Sequence, residues 1–403
     1  MVKLSKQSEW KTWQAFALEI LVCALLFTAG GYMQYNWGMV GLVTTEFMFL
    51  ALAIGVAYFH KTPLKEVFPI KKIKLKEFFG VVILTVAGLM LGMMGLGISM
   101  ILLPNSMAEI QGLSDFMYND TSYLFLLFSA VLLPAICEES IQRGAILSHL
   151  RSIDNDIVIA LIMGVFFGLF HLSPLRFLTT ATLGTILSYV MIRKNNMVFP
   201  MLMHGINNFF SVSVGTLSSK AGSTTDSLAN INPIQILGSY CILGFLAPIL
   251  FVLAFRIIDK ENYNKKNWLI AVVISAVIFA VGIGCTVIAT AGSEQIFTQN
   301  GTFSFSAEKS ATDAEVELKE DGTYLITCIG TVREGEIGVK ITDENGKEVY
   351  NKSKEKTLFV NDMIGLEAGK YTFYLYGDED TYGKDATFNI TFMRQGKGKK
   401  SSK

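Results

Sequence analysis

The chain has 403 residues, 51% of them apolar and only 17% charged, with 34 Lys and Arg balancing 34 Asp and Glu. That balance is too apolar for a soluble protein of this length, and it leaves nucleic acid off the set of expected partners. The apolar residues gather into runs of about 17–25 residues, the length a helix needs to cross a bilayer core, and such runs stop after Gly292.

In chain order the runs are 14–32, 38–59, 78–104, 122–149, 156–172, 175–193, 197–217, 233–256 and 268–291. They predict a polytopic α-helical membrane protein with about nine transmembrane helices, followed by a small all-β sandwich. The expected divisions are 1–121 (transmembrane helices with a basic loop), 122–256 (the functional core), 257–292 (a loop and the last helix) and 293–403 (the β domain, ending in a disordered basic tail, Lys397–Lys403). The first run lacks a clear small-residue cleavage site and is followed at once by another span, so it is expected to stay as an anchor.

Lys and Arg fall in alternate loops. Lys3, Lys6 and Lys11 precede the first span, and Lys61, Lys65, Lys71, Lys72, Lys74 and Lys76 follow the second. Arg143 and Arg151 end the fourth, Arg193 and Lys194 the sixth, and Lys260, Lys265 and Lys266 follow the eighth. Excess positive charge marks cytoplasmic loops. The intervening loop 105–121 carries Glu109, Asp115 and Asp120 without a Lys or Arg, and 218–232 carries Lys220 alone. The expectation is a multi-pass protein of the cell membrane with its N-terminus cytoplasmic and its β domain extracellular. The lysines of 61–77 are interleaved with Leu, Val, Phe and Ile; they set topology, and the pattern also suits a segment lying near anionic lipid.

Beyond Thr302 the apolar period becomes two. Thr323–Val332, Glu336–Thr342, Lys370–Gly377 and Ala386–Arg394 read as strands, separated by Asp321-Gly322, Asn345-Gly346 and Ala368-Gly369 as turns. A sandwich of about seven or eight strands is the natural packing. Neither a metal cluster nor a nucleophile stands out there, so an extracellular ligand or partner is expected rather than chemistry. Four of the five cysteines, Cys23, Cys137, Cys241 and Cys285, lie in spans, which leaves Cys328 alone in the β domain with nothing to pair with.

A charged side chain at the centre of a spanning helix costs about 2.5–3.5 kcal/mol, so such residues mark function. They are read as clustered within 138–208. The fourth span ends Cys137-Glu138-Glu139-Ser140-Ile141-Gln142-Arg143. Glu139 and Arg143, four apart, share a helix face and can pair, offsetting part of each other's burial cost. Glu138, about 100° round the helix, has no such local partner, and a carboxylate in an apolar site can serve as a general base. The fifth span holds His171 with Phe167 one turn before it, and the seventh sets His204 and Asn208 at i and i+4. Only four histidines exist in the chain, and two of them stand in apolar helices beside polar partners. A His-Glu-x-x-His stretch, a serine elbow and the paired aspartate motifs are all missing from the spans.

Glu-Glu-x-x-x-Arg, Phe-x-x-x-His and His-x-x-x-Asn, in that order on successive helices, resemble the CAAX-processing and bacteriocin-processing (CPBP, or Abi) family of intramembrane proteases. The resemblance covers roughly 120–217 and does not extend to the β domain. It implies an endopeptidase acting on a peptide or membrane-protein substrate. In such proteins the first Glu and the second-motif His, here Glu138 and His171, activate water, while His204 and Asn208 stabilise the oxyanion. Glu139 and Arg143 are then supporting residues, in agreement with their spacing. Many members have an aromatic before the Arg where this chain has Gln142. The family is often labelled metallo-, and Glu138, His171 and His204 could ligate zinc. The metal-free scheme, in which Glu138 deprotonates the water, is preferred. Two rival readings use the same residues: a non-catalytic immunity or partner-binding protein, and a proton-coupled transporter.

Overall fold

A computed structural model describes residues 4–5, 7–103, 107–118, 121–221, 232–260, 264–291, 294–304, 312–381 and 384–394. The expected basic tail Lys397–Lys403 lies outside the described residues, as do Asp120 and most of the loop 218–232. The chain divides into two compact units, one formed by Met1–Leu217 and Pro233–Thr286, the other by Ser218–Asn232 and Val287–Lys403.

The first unit opens with α1 (Thr12–Leu25), which passes through a π-helical turn at Leu26–Gly30 into α2 (Gly31–Phe59). This 48-residue apolar run is not straight. Gly38 has φ 53° and ψ −130°, a conformation closed to other residues, and there the chain folds back. A Cβ on Gly41 would sit 2.0 Å from the Met33 carbonyl oxygen, and Trp10 stacks on His60 at 4.3 Å across the mouth of the hairpin. The run therefore makes two antiparallel helices, close to the expected 14–32 and 38–59.

A short helix, α3 (Leu64–Val67), interrupts the basic loop. The loop is held by Asn196, which accepts from the Lys71 amide and donates to the Lys71 carbonyl, both at 3.0 Å. Next come α4 (Leu75–Leu102) and α5 (Met107–Tyr118). The fourth expected span is a continuous helical run, Tyr123–Leu150, made of α6 (Tyr123–Leu126), a π-helical stretch, α7 (Leu133–Glu139), a second π-helical stretch at Ser140–Ile146, and α8 (Leu147–Leu150). Then follow α9 (Asp156–Phe170), α10 (Phe177–Lys194), α11 (Val198–Ala221), α12 (Pro233–Gly244), α13 (Ala247–Ile258) and α14 (Lys266–Thr290).

Among the described residues five runs are long and apolar enough to cross a membrane: Thr12–Phe59, Leu75–Leu102, Tyr123–Leu150, Pro233–Ile258 and Lys266–Thr290. The expected number was about nine. The first run accounts for two of these. α9 is apolar but shorter, while α10 with Thr179, Thr180, Thr182, Thr185 and Ser188, and α11 with Asn207, Asn208, Ser211 and Ser213, are helices with polar faces. Thr179 reaches α4, Ser188 reaches Arg143 and Ser213 meets Tyr123 across helix interfaces, whereas Thr182, Thr185 and Ser211 bond back to their own helices and Ser211 is exposed. The packing is close: Gly92 and Gly95 on α4 let α10 approach until Thr179 donates to the Gly92 carbonyl at 2.9 Å. The core beneath runs through Ile141, Ile146, Phe167, Leu187 and Met203, all buried.

The second unit carries six antiparallel strands among the described residues: β1 (Glu294–Ser304), β2 (Thr312–Leu318), β3 (Gly322–Asp343), β4 (Glu348–Leu366), β5 (Gly369–Gly377) and β6 (Asp385–Arg394). Seven or eight were expected. Part of the difference is that Thr323–Val332 and Glu336–Thr342 form one strand. β3 runs on through a register shift between Thr331 and Glu336 and pairs with β4 along most of its length. Its first half pairs β6 and its second half β5. Gly335, at φ 82°, fits this bend because Asp378 and Thr381 leave no room for a Cβ. Phe373 of β5 meets Phe392 of β6 at 4.8 Å, and Tyr324 stacks on Phe392 at 5.2 Å, so the two halves share one core. The Asn345-Gly346 turn is present, with Asp343 accepting the amides of Asn345 and Lys347.

Candidate active site

Glu138 and Glu139 close α7, just before the helix widens into the π-helical stretch that carries Arg143; such widenings are common at functional sites. Arg143 is fully buried. Its Nη1 donates to Glu139 Oε1 at 2.8 Å, Nη2 to the Gly184 carbonyl at 3.2 Å and Nε to Ser188 Oγ at 3.3 Å, and its guanidinium lies 4.3 Å over the Phe167 ring. The i,i+4 pair expected from spacing is therefore present, and α10 completes it.

Glu139 has a second partner. Its Oε1 also accepts from His204 Nδ1 at 2.8 Å. A carboxylate can only accept, so Nδ1 carries the hydrogen and Nε2 is turned the other way. His204 Nε2 lies 3.9 Å from Glu138 Oε2. One carboxylate thus sets the imidazole, and the imidazole faces the other. His204 and both glutamates are buried.

His171 stands at the C-terminal end of α9, half-buried, rather than within the helix as expected. Its Nδ1 donates to the Phe167 carbonyl at 2.8 Å, which leaves Nε2 as the outward nitrogen. Phe167 is the common neighbour: its ring meets His171 at 4.7 Å and His204 at 5.7 Å, both edge-to-face, as well as Arg143. Asn208, one turn beyond His204, donates through Nδ2 to the Ala130 carbonyl at 3.0 Å, while its Oδ1 accepts from Asn207 at 3.1 Å. This leaves Asn208 one N–H for a further acceptor.

Ionisable residues inside the spans are not confined to 138–208. Glu19 on α1 and Glu46 on α2 are buried and turn toward the same region. Glu19 Oε2 accepts from Gln142 Nε2 at 3.0 Å, so the residue that departs from the family pattern is the one that reaches α1. Glu46 stands on α2, which packs against α7, the helix that ends in Glu138 and Glu139. Glu19 and Glu46 are each the lone acid of an otherwise apolar run, a signal available in the sequence.

A zinc ion held jointly by Glu138, His171 and His204 does not fit this arrangement. Among the described residues no group of three His, Cys, Asp or Glu side chains converges as a metal requires.

The fold and this centre define a multi-helix membrane protein with a buried carboxyl–imidazole–guanidinium site on the run Tyr123–Leu150 and helices α9 to α11. A family model described as type II CAAX prenyl endopeptidase Rce1-like matches residues 120–210, the segment that carries the three motifs. The matched stretch holds Glu138, Glu139, Arg143, His171, His204 and Asn208; Glu19 and Glu46 lie outside it. No curated protein matches the chain. Among solved structures, a carbohydrate binding module from Cellvibrio mixtus lichenase 5A, in complex with cellotriose, is 16% identical with a TM-score of 0.17, over 26% of this chain and 92% of that one.

Proposed function

We propose that this chain is an intramembrane endopeptidase of the CAAX-protease type, in which Glu138 with His171 activates a water for attack on a peptide carbonyl and His204 with Asn208 holds the developing oxyanion. The observation that carries this reading is the division of labour between adjacent carboxylates. Glu139 is consumed by Arg143 and His204 Nδ1, whereas Glu138 has no guanidinium hydrogen bond and faces His204 Nε2. A base needs an available lone pair, which Glu138 keeps, and Glu139 holds the neighbouring imidazole by Nδ1 so that Nε2 faces the reaction site. The water is deprotonated by the Glu138 carboxylate; its oxygen bonds to the carbonyl carbon and the carbonyl oxygen takes the negative charge. The tetrahedral species then collapses with loss of the amine, which takes up the proton held by Glu138. His204 donates to the oxyanion from Nε2 when it is an imidazolium, and Asn208 from its second Nδ2 hydrogen.

The substrate in this reading is a peptide or membrane protein entering between the helices from the bilayer. The loop charges support an orientation with the N-terminus cytoplasmic and the β domain outside, where the β domain would meet an extracellular ligand. The test reconstitutes the full-length wild type and Glu138→Gln in liposomes and measures both cleavage of an internally quenched, prenylated-cysteine peptide and proton flux. Cleavage lost in the variant, without flux, is the expected result. Flux lost in the variant, with no cleavage by either protein, would replace the protease by a transporter.

A further inference from the structure

In the β unit the first half of β3 lies between β6 and β4, and β1 flanks β6, so four antiparallel strands run side by side in the order β1-β6-β3-β4. Side chains alternate between the two faces of such a sheet. One face is the core, with Ile326, Cys328, Phe388 and Ile390 buried. The register fixes what stands on the other. Its first row pairs Thr298, Thr391, Thr327 and Asn361; Thr298 and Thr391 share a hydrogen bond at 3.1 Å, and Thr327 donates to Asn361 Oδ1 at 3.1 Å. Its third row pairs Thr302, Thr387, Thr331 and Thr357, with Thr331 and Thr387 hydrogen-bonded at 2.7 Å. Between them, Asn300 and Asn389 lead to an apolar cross-strand pair, Ile329 and Phe359, which are 48% and 46% exposed.

None of these twelve positions carries a charge, although 33 of the residues 301–403 are Asp, Glu, Lys or Arg. Strand propensity alone does not account for the choice: Thr suits a strand, but Asn is depleted in strands, and here two Asn face each other in mid-sheet beside an exposed aromatic pair partner. Every one of the twelve side chains is half-buried or exposed. A face without charge offers no ion pair to a nucleic acid, an anionic polymer or a charged peptide. It offers hydroxyls and amides, which both donate and accept, around a patch of exposed carbon. A pyranose presents the matching surfaces, hydroxyls at its rim and C–H groups on its ring face, and the negative face of an aromatic ring attracts such C–H groups. Size argues against a second copy of this chain as the occupant. With strands about 4.8 Å apart and rows about 6.8 Å apart, twelve positions cover about 400 Å², half of the roughly 800 Å² that each partner gives to a stable protein interface.

We infer that this face of the β unit is a binding site for an uncharged polysaccharide chain, with Phe359 and Ile329 under a sugar ring and the rows of Thr and Asn hydrogen-bonding its hydroxyls. This rests on the reading of the β unit as the part that meets an extracellular ligand, and not on proteolysis.

The test titrates the full-length protein in nanodiscs, by calorimetry at 50 and 500 mM NaCl, with cellohexaose, mannohexaose, xylohexaose and N-acetylchitohexaose, and with hexagalacturonate as the anionic control. Binding of at least one neutral hexasaccharide, with the same affinity at both salt concentrations, is the expected result. Phe359→Ala should weaken it at least tenfold, and so should Asn389→Asp, which adds a charge at nearly constant shape; both side chains face outward, so the melting temperature should not change. Tyr374→Ala, on β5 beside the second half of β3, should leave binding as it is. Binding of none of the neutral hexasaccharides, or equal binding by Phe359→Ala, would overturn the inference. So would a preference for hexagalacturonate that disappears at 500 mM NaCl, which would assign the binding to surface charge. A change of oligomeric state in Phe359→Ala, read by mass photometry, with no glycan bound by the wild type, would put a second copy on this face instead. Cleavage of the quenched peptide is followed on the same samples: glycan bound with the peptide intact would support the glycan site while refuting the protease reading, and peptide cleaved with no glycan bound would do the reverse.

Discussion

Arg143→Met tests the scaffold on which the site depends. The guanidinium is fully buried and makes three hydrogen bonds, to Glu139, Gly184 and Ser188. Met fills much of the volume, so the loss is mainly electrostatic. Glu139 would keep only the His204 hydrogen bond to Oε1, and its Oε2, already without a partner, would belong to an uncompensated buried charge. Breaking a buried ion pair from one side costs about 3–5 kcal/mol, and that is the expected loss on unfolding full-length protein in mixed micelles. The double variant Arg143→Met with Glu139→Gln removes the stranded charge, while an amide oxygen still accepts from His204. It should recover about half of the loss or more, because the penalty belongs to the isolated charge rather than to the missing contact. A cost below about 1 kcal/mol for the single variant, or a double variant no more stable than the single one, would refute the reasoning.

Gly184→Ala would place a Cβ 2.6 Å from Phe167 Cβ, the rigid root of the ring shared by Arg143, His171 and His204; overpacking of this kind costs about 1–3 kcal/mol, and both melting temperature and peptide cleavage should fall. In the β unit, the Asp378 carboxylate accepts the backbone amides of Glu336 and Thr381, which hold it below its ordinary value of 3.8. Because the folded value is the depressed one, its stabilisation is present above the unfolded value and is lost as pH falls through the folded value. Hydrogen exchange should show protection around the β3 bend weakening in that acidic window, and Asp378→Asn should flatten the dependence. Burial pushes the Cys328 thiol up to about 12, so iodoacetamide at pH 8 should label it only after denaturation. Labelling of the native protein at the rate of a free thiol would contradict its place in the β core.

The three motifs were legible because each is a short-range pattern on one helix. Glu139 with Arg143 and His204 with Asn208 follow from four-residue spacing, and Phe167 from its place one turn before His171. What spacing could not supply is contact between helices. Glu139 Oε1 accepts from both Arg143 and His204, the latter 65 residues away, so a residue read as half of an ion pair also sets the tautomer of the imidazole. Asn208 has a local partner in Asn207 and a distant one in Ala130. Glu19 and Glu46 were legible in principle, each as the lone acid of its run, but the denser cluster at 138–143 drew the reading away from them. In the β unit, Arg333–Gly335 looks like a break between strands, because the local apolar alternation stops there. The ladder with β4 resumes at Glu336, so a bend that a turn would have ended stays within β3.

The most direct measurement compares protein termini across the membrane proteome, by mass spectrometry, in cells making the wild type or Glu138→Ala at matched abundance. A new terminus present only with the wild type is the predicted result, and it would identify a substrate while tying its cleavage to the residue assigned to activate water. Indistinguishable termini, in cells where both proteins preserve the same phenotype, would contradict the account and leave the buried charges with a structural or partner-binding role.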